Sequence, residues 1–246
     1  MVYQQGGETL KATLFLCRQL IHRIQTEWVL LMLSAVPLIA WGCIYFCMPL
    51  FVKYLDEYES FTVFLMRYGL LVDILMACIA PLIFGYVSTM LILEERDDGI
   101  IKMIAVSPAG IHGYYIARIV FPCVSGGIVT MILLSFQSFT HPYIWQLVFM
   151  TVFGIGQGMM VSLLTVAFSS NKLEGTAITK LGSVFVISAA AAFFVPKPYA
   201  SVFSIFPAYQ TALAFLHHSL VGAMLAIVES VIWILVLYAI VMKRTQ

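Results

Sequence analysis

Few residues in this sequence have the type and spacing to do chemistry. The five cysteines stand at 17, 43, 47, 78 and 123. Cys43 and Cys47 lie one helical turn apart, where two thiolates could share a metal ion. No CxxC or His-x-x-x-His pattern accompanies them, and a free cysteine in an apolar run behaves as a small apolar residue. No metal site is predicted. Gly154-Ile155-Gly156-Gln157-Gly158 has the glycine density of a phosphate cradle, but it lies inside an apolar run and lacks the lysine of GxxxxGK[ST]. No HExxH, GxSxG or paired Asp motif stands within the apolar runs, so no catalytic residues are expected. His217-His218 reads as an interfacial pair.

Glu229 is different, because it stands midway along an apolar run. A carboxylate in such a place is costly, and its default reading is functional. Two roles stay open. Glu229 contacts a cationic substrate or a basic group across the bundle, or it is a protonated or hydrogen-bonded structural residue. Asp73 and Arg67 are six positions apart, about 120° around a helix, and so do not pair on one helix. They read as interface residues. Arg118 and Lys180 lie near span ends, where long side chains reach the interface; Arg118 alternatively anchors the acidic run at 94–98.

The elements that position these residues are set by composition. Of 246 residues, 62% are apolar and 10% charged, with a net charge of +1. Mean hydropathy is +0.99. An ordinary soluble domain carries roughly 25% charged residues, so lipid must cover much of this chain. No nucleic-acid partner is expected at this charge. The first seven residues are polar and an amphipathic stretch follows, a pattern unlike a cleavable signal.

Apolar runs long enough to span a bilayer occur at 28–52, 70–93, 114–136, 144–168, 178–195 and 220–242. The predicted fold is an all-α membrane protein of six transmembrane helices forming a single domain over 1–246. Basic residues set its orientation. Lys11, Arg18, Arg23, Arg96, Lys102, Arg118, Lys172, Lys180, Lys243 and Arg244 fall on one side. Only Lys53, Arg67 and Lys197 fall on the other. Both termini are therefore expected in the cytoplasm, with the chain in the plasma membrane.

Two segments flank the spans. Over 8–26, Leu10, Leu14, Cys17, Ile21 and Ile24 share one helical face, and Lys11, Arg18, His22 and Gln25 another. This predicts an amphipathic helix at the cytoplasmic interface. Residues 196–219 are too apolar for a solvated loop and are broken by Pro207. Two short re-entrant helices on the outer side are predicted, packed against the bundle mouth. Phe46, Phe51, Tyr54, Phe203, Phe206 and Tyr209 could line an outer vestibule there, although aromatic residues are also ordinary at membrane interfaces. Gly154 and Gly158 form a small-xxx-small pair for close helix contact, and Ser125-Gly126-Gly127 serves close contact in the third span. Pro81 and Pro122 predict kinks.

The connection after the second span is the most informative. Glu94-Glu95-Arg96-Asp97-Asp98-Gly99 is a charged exit with a glycine break. Ile100, Ile101, Lys102, Met103, Ile104, Ala105 and Val106 make a helix of about two turns, which Ser107-Pro108 stops. Gly113-Tyr114-Tyr115 and Arg118 open the next span. A short apolar helix facing the cytoplasm needs a cover, and a docked soluble partner supplies one.

Here the chain resembles the membrane subunits of ABC-2-type ATP-binding-cassette transporters. The acidic-basic-acidic-Gly exit at 95–99, Ser107-Pro108, Tyr114 and Arg118 match that family in order, and the layout matches over nearly the whole chain. The resemblance implies that residues 95–106 are a coupling helix docked in a groove of the ATPase. Glu95, Arg96, Asp97, Asp98, Gly99, Ile100, Ile101, Lys102, Met103 and Pro108 then carry the coupling. It implies two ATPase subunits, which bind the ATP and Mg, and a second membrane subunit, identical or homologous. It also implies export. So few charges inside the spans suit an amphipathic or hydrophobic drug or peptide, and Glu229, Phe46, Phe206 and Tyr209 are read as its pathway residues. The competing reading is a secondary transporter or channel without an ATPase, for which Glu229 alone argues and no repeat is visible.

Overall fold

The computed structural model describes the backbone of residues 2–55, 59–136 and 138–245, and the side chains of 9–28, 30–47, 68–101, 103–136, 138–196 and 199–244. The structure is 90% helix, and no strand occurs among the described residues. In order they form α1 (Val2–Thr26), α2 (Trp28–Leu55), α3 (Glu59–Asp97), α4 (Ile100–Ala105), α5 (Gly110–Phe136), α6 (Ile144–Phe168), α7 (Lys172–Phe194), α8 (Pro207–Leu216) and α9 (Leu220–Thr245). Between α7 and α8 lie one turn of helix at Lys197–Ala200 and a 3-10 turn at Ser201–Ile205. Six helices are long and apolar enough to cross a membrane: α2, α3, α5, α6, α7 and α9.

Several boundaries differ from those read off the sequence. The second span is part of a 39-residue helix starting at Glu59 rather than 70, about 58 Å long at about 1.5 Å per residue. The fifth begins at Lys172 rather than 178, because a polar cap and not hydropathy starts it. The Asn171 side chain accepts from the Glu174 N–H at 2.9 Å, and the Glu174 carboxylate accepts from the Ser170 N–H at 2.7 Å. The first bond satisfies an N–H of the first turn, and the second ties the residue before the cap to it.

The two central helices are α6 and α3. Within the span windows, 61% of α6 and 50% of α3 is buried, against 22% of α9 and 11% of α2. Proline and glycine bring them together. Pro81 has no N–H, so the Ala77 carbonyl four residues earlier loses its helical donor. Gly154 of α6 lies against that carbonyl; a Cβ there would be 2.2 Å from the Ala77 oxygen. One turn on, a Cβ at Gly158 would be 2.8 Å from the Pro81 oxygen, and one at Gly126 of α5 would be 2.8 Å from Ala80 and Pro81 backbone. Three helices meet at one proline because two of them present glycine. Pro122 has the parallel effect in α5. The backbone widens into a π turn at Ile116–Val120, and the Arg118 carbonyl, four residues before the proline, accepts from the Ser88 hydroxyl of α3. π turns of this kind recur at functional positions.

The amphipathic α1 packs differently from its sequence pattern. Leu16 and Leu20 are buried, with Ala12, Cys17 and Ile24 beside them. Leu10, Leu14 and Ile21 are exposed at 62%, 59% and 43%. The apolar arc is thus shared between the bundle and the surroundings.

Candidate functional site

Connectivity places 98–109 on one face of the bundle and 195–219 on the other. On the first face, α3 ends in a charged turn. The Asp98 N–H donates to the Glu94 carbonyl at 3.0 Å and the Gly99 N–H to Arg96 at 3.1 Å. Gly99 then turns the chain with φ of 73°, a left-handed value that favours glycine. The short helix α4 follows, anchored by buried Ile101 and half-buried Ile104 in a cluster with Tyr114 and Tyr115. Its other face is open: Met103 is 73% exposed and Val106 88%. Asp97, Asp98 and Pro108 are also exposed, and Ile100 is half-buried. The Lys102 side chain lies outside the described residues.

Glu95 and Arg96 do not belong to that open surface. Glu95 is 3% exposed. Its carboxylate accepts from the Tyr114 hydroxyl at 2.6 Å and forms a close ion pair with Arg118, which is itself fully buried. Arg118 therefore anchors the charged exit instead of reaching to an interface. Its guanidinium lies 5.9 Å from the Tyr114 ring centroid. Its Nε and Nη1 have no hydrogen-bond partner. Arg23 of α1 adds a second cation, 3.6 Å from Glu95 and 3.2 Å from Glu94, and Lys172 of α7 reaches Glu94 at 3.0 Å. Burial alone would lower the Arg23 pKa, but the hydrogen bond to Glu27 and the charges of Glu94 and Glu95 outweigh it and hold the guanidinium above its ordinary range.

Arg96 turns toward α6. It donates to the carbonyls of Ser169 at 2.9 Å and Val166 at 3.2 Å, and Arg244 of α9 donates to Ala167. Two arginines from different helices thus satisfy the last carbonyls of α6, where positive charge is also favoured by the helix dipole. The charged exit is a brace joining α1, α3, α5, α6, α7 and α9, and α4 hangs from it.

On the opposite face the chain between α7 and α8 dips inward and returns. The Trp233 indole N–H donates to the Ile205 carbonyl at 3.1 Å. Trp233 lies about 20 Å along α9 from Leu220 at about 1.5 Å per residue, so the tip of this hairpin reaches deep between the spans. Phe206 there has an extended backbone (φ −103°, ψ 122°). Its ring meets Phe185 of α7 edge-on at 5.1 Å, and Phe185 meets Trp233 at 5.4 Å. Tyr209 is buried against Phe203. Glu229 is half-buried with no ion pair among the described residues. Phe46 is not part of this group: it is 69% exposed and ends a Trp41–Tyr45–Phe46 ladder on α2. Phe51 and Tyr54 lie outside the described side chains, as do Lys53, Arg67 and Lys197.

Asp73, read from the sequence as an interface residue, is 1% exposed. It accepts from the Phe139 and Thr140 N–H groups, both at 2.9 Å, and from the Thr140 hydroxyl at 2.5 Å. It pins the α5–α6 loop. His218 contacts Gln146 at 3.4 Å. No group of metal-ligating side chains occurs among the described residues. The ties of Glu95 to Tyr114 and Arg23, the Asp73 loop clamp and the Trp233–Ile205 bond were not found by sequence reasoning. The (i, i+4) relation of Pro122 to Arg118 was the available signal for the π turn.

A family model described as "Fluoroquinolones export permease protein Rv2686c-like" matches residues 21–243. No curated protein and no solved structure matches the chain. The match runs from the last turns of α1 to the end of α9 and takes in both faces, so the chain belongs to the Rv2686c-like family of fluoroquinolone export permeases, which are ABC-2-type membrane proteins.

Proposed function

We propose that this chain is the membrane subunit of an ATP-driven exporter and that α4 is the contact for its ATPase. The observation that carries this reading is the exposed pair Met103, on a short helix, and Val106, which ends it, braced from beneath by buried charge. A loop with no partner has no reason to hold two large apolar side chains outward on a rigid base. Asp97 and Asp98 supply a charged rim. Ten of the thirteen basic residues lie on this side of the spans, which supports a cytoplasmic position for α4 and both termini.

ATP and Mg belong to the ATPase, of which two copies act with two membrane chains, identical or homologous. Closing of the ATPases on ATP pushes α4, and the brace carries the displacement into α3, α5 and α6, shifting the spans from one packing to another. The substrate class is an amphipathic or hydrophobic drug. Phe206, Tyr209 and Glu229 border its pathway on the far side, with Phe46 on a separate wall.

The test is copurification with a co-expressed ABC ATPase subunit. The pair Asp97→Lys and Asp98→Lys is expected to release the ATPase or uncouple it from transport while the spans stay folded. Retention of both ATPase binding and transport in that variant would remove α4 from the docking role.

A further inference from the structure

The hairpin between α7 and α8 poses a solvation problem. Its tip carries a 3-10 turn at Ser201–Ile205 followed by extended backbone at Phe206, and Ser201, Val202, Ser204 and Ile205 are exposed. At membrane depth such backbone is tolerated only where protein covers it or a water-filled cavity adjoins it. The open side of the tip therefore faces an aqueous pathway or a neighbouring membrane chain, not lipid tails.

Glu229 stands at the edge of that side. Gly222, Glu229 and Trp233 lie within about 40° of one another around α9 at about 100° per residue. On this stripe Gly222 packs on α8 and Trp233 touches the hairpin. A Cβ at Gly222 would be 3.0 Å from the Ala214 Cβ of α8, and Trp233 bonds the Ile205 carbonyl. Glu229 is bracketed by them, about one turn from the Trp233 indole. The same wall offers the rings of Phe185, Phe206 and Trp233, and Gln210 is held to the tip by its bond to the Ser204 carbonyl at 3.2 Å.

We infer that Glu229 is the counter-ion for the protonated amine of an aromatic substrate, whose ring system stacks on the Phe185–Phe206–Trp233 wall. A half-buried carboxylate forms a charge-assisted bond with a substituted ammonium, and aromatic faces favour the same cation. This deepens the exporter reading, on which it rests, by naming a substrate class: hydrophobic aromatic amines charged at neutral pH.

The probes are 1-(1-naphthyl)piperazine, which is protonated at neutral pH, and its N-acetyl derivative, which is not. In the assembled transporter, the amine is expected to stimulate ATP hydrolysis at a concentration at least about tenfold below that of the amide, as a charge-assisted bond implies. Glu229→Gln is expected to erase this difference. Equal stimulation by both probes in the wild type, or a difference that survives Glu229→Gln, overturns the assignment. A second measurement needs no variant. Dicyclohexylcarbodiimide modification of Glu229, mapped by peptide mass in the wild-type membrane chain, is expected to be blocked by the amine and not by the amide. Equal protection, or none, also overturns it. Loss of ATPase association with selective protection intact would sink the exporter reading and leave this site standing.

Discussion

Removal of the Glu95 carboxylate is the most direct test of the brace. In Glu95→Ala, Arg118 loses its ion-pair partner at a site where its side chain is 1% exposed and two of its nitrogens already lack a partner. Breaking a buried pair from one side costs about 3–5 kcal/mol, because the remaining charge stays buried. The Tyr114 hydroxyl loses its acceptor as well, which adds about 1–3 kcal/mol. Glu94 is the internal control. It carries two cations, but its side chain is 31% exposed and Lys172 51%, so Glu94→Ala should cost less than about 1 kcal/mol. For a chain of this size 1 kcal/mol corresponds to roughly 2–4 °C in Tm. Glu95→Ala is then expected to melt at least about 6 °C below wild type and Glu94→Ala within about 4 °C of it. Thermal exposure of Cys78 and Cys123, both 0% exposed, to a fluorogenic maleimide reports the transition in detergent. Replacing both partners, Glu95→Leu with Arg118→Met, should recover about half the loss or more, since the stranded charge is gone. Equal melting of Glu95→Ala and Glu94→Ala, or a double variant worse than Glu95→Ala alone, would refute the reasoning.

Other outcomes follow from single contacts. Gly154→Ala forces a Cβ to 2.2 Å from the Ala77 oxygen and should destabilise by about 1–3 kcal/mol, whereas Gly42→Ala, with nothing within 4 Å, should be neutral or gain up to about 1 kcal/mol; the same thiol melt compares them. Met103→Asp and Val106→Asp should weaken ATPase copurification by about tenfold or more each with no change in Tm, because both side chains are exposed. Asp73→Ala leaves the Phe139 and Thr140 N–H groups without an acceptor and should raise amide hydrogen exchange at 138–143 while the rest of the chain keeps its protection.

The six spans were legible because hydropathy and length are summed over about twenty residues, and a bilayer fixes that sum. What the sequence left open was decided by single partners far away in the chain. Asp73 sits in an apolar run near a span end, and nothing local announces that its acceptors serve the loop at 139–140. The pattern on α1 showed an apolar arc but not which part meets the bundle; Leu16 and Leu20 face it, and Leu14 and Ile21 do not. The start of α7 was missed because Asn171 caps a polar first turn that hydropathy ignores. At the charged exit, the spacing of Glu95, Tyr114 and Arg118 was visible, yet their burial was not. An exposed strip and an internal brace share one sequence signature, and only the side-chain directions split it into Asp97, Asp98, Met103 and Val106 outward and Glu95 and Arg96 inward.

The two arginine caps on α6 carry a mechanical consequence. Arg96 and Arg244 come from helices at different points of the bundle and close on carbonyls of the same final turn. The ends of α3, α6 and α9 are thereby knotted at one spot, directly behind the turn that leads into α4. On the proposed coupling, a load applied at Asp97 is shared by the three spans that meet at this turn.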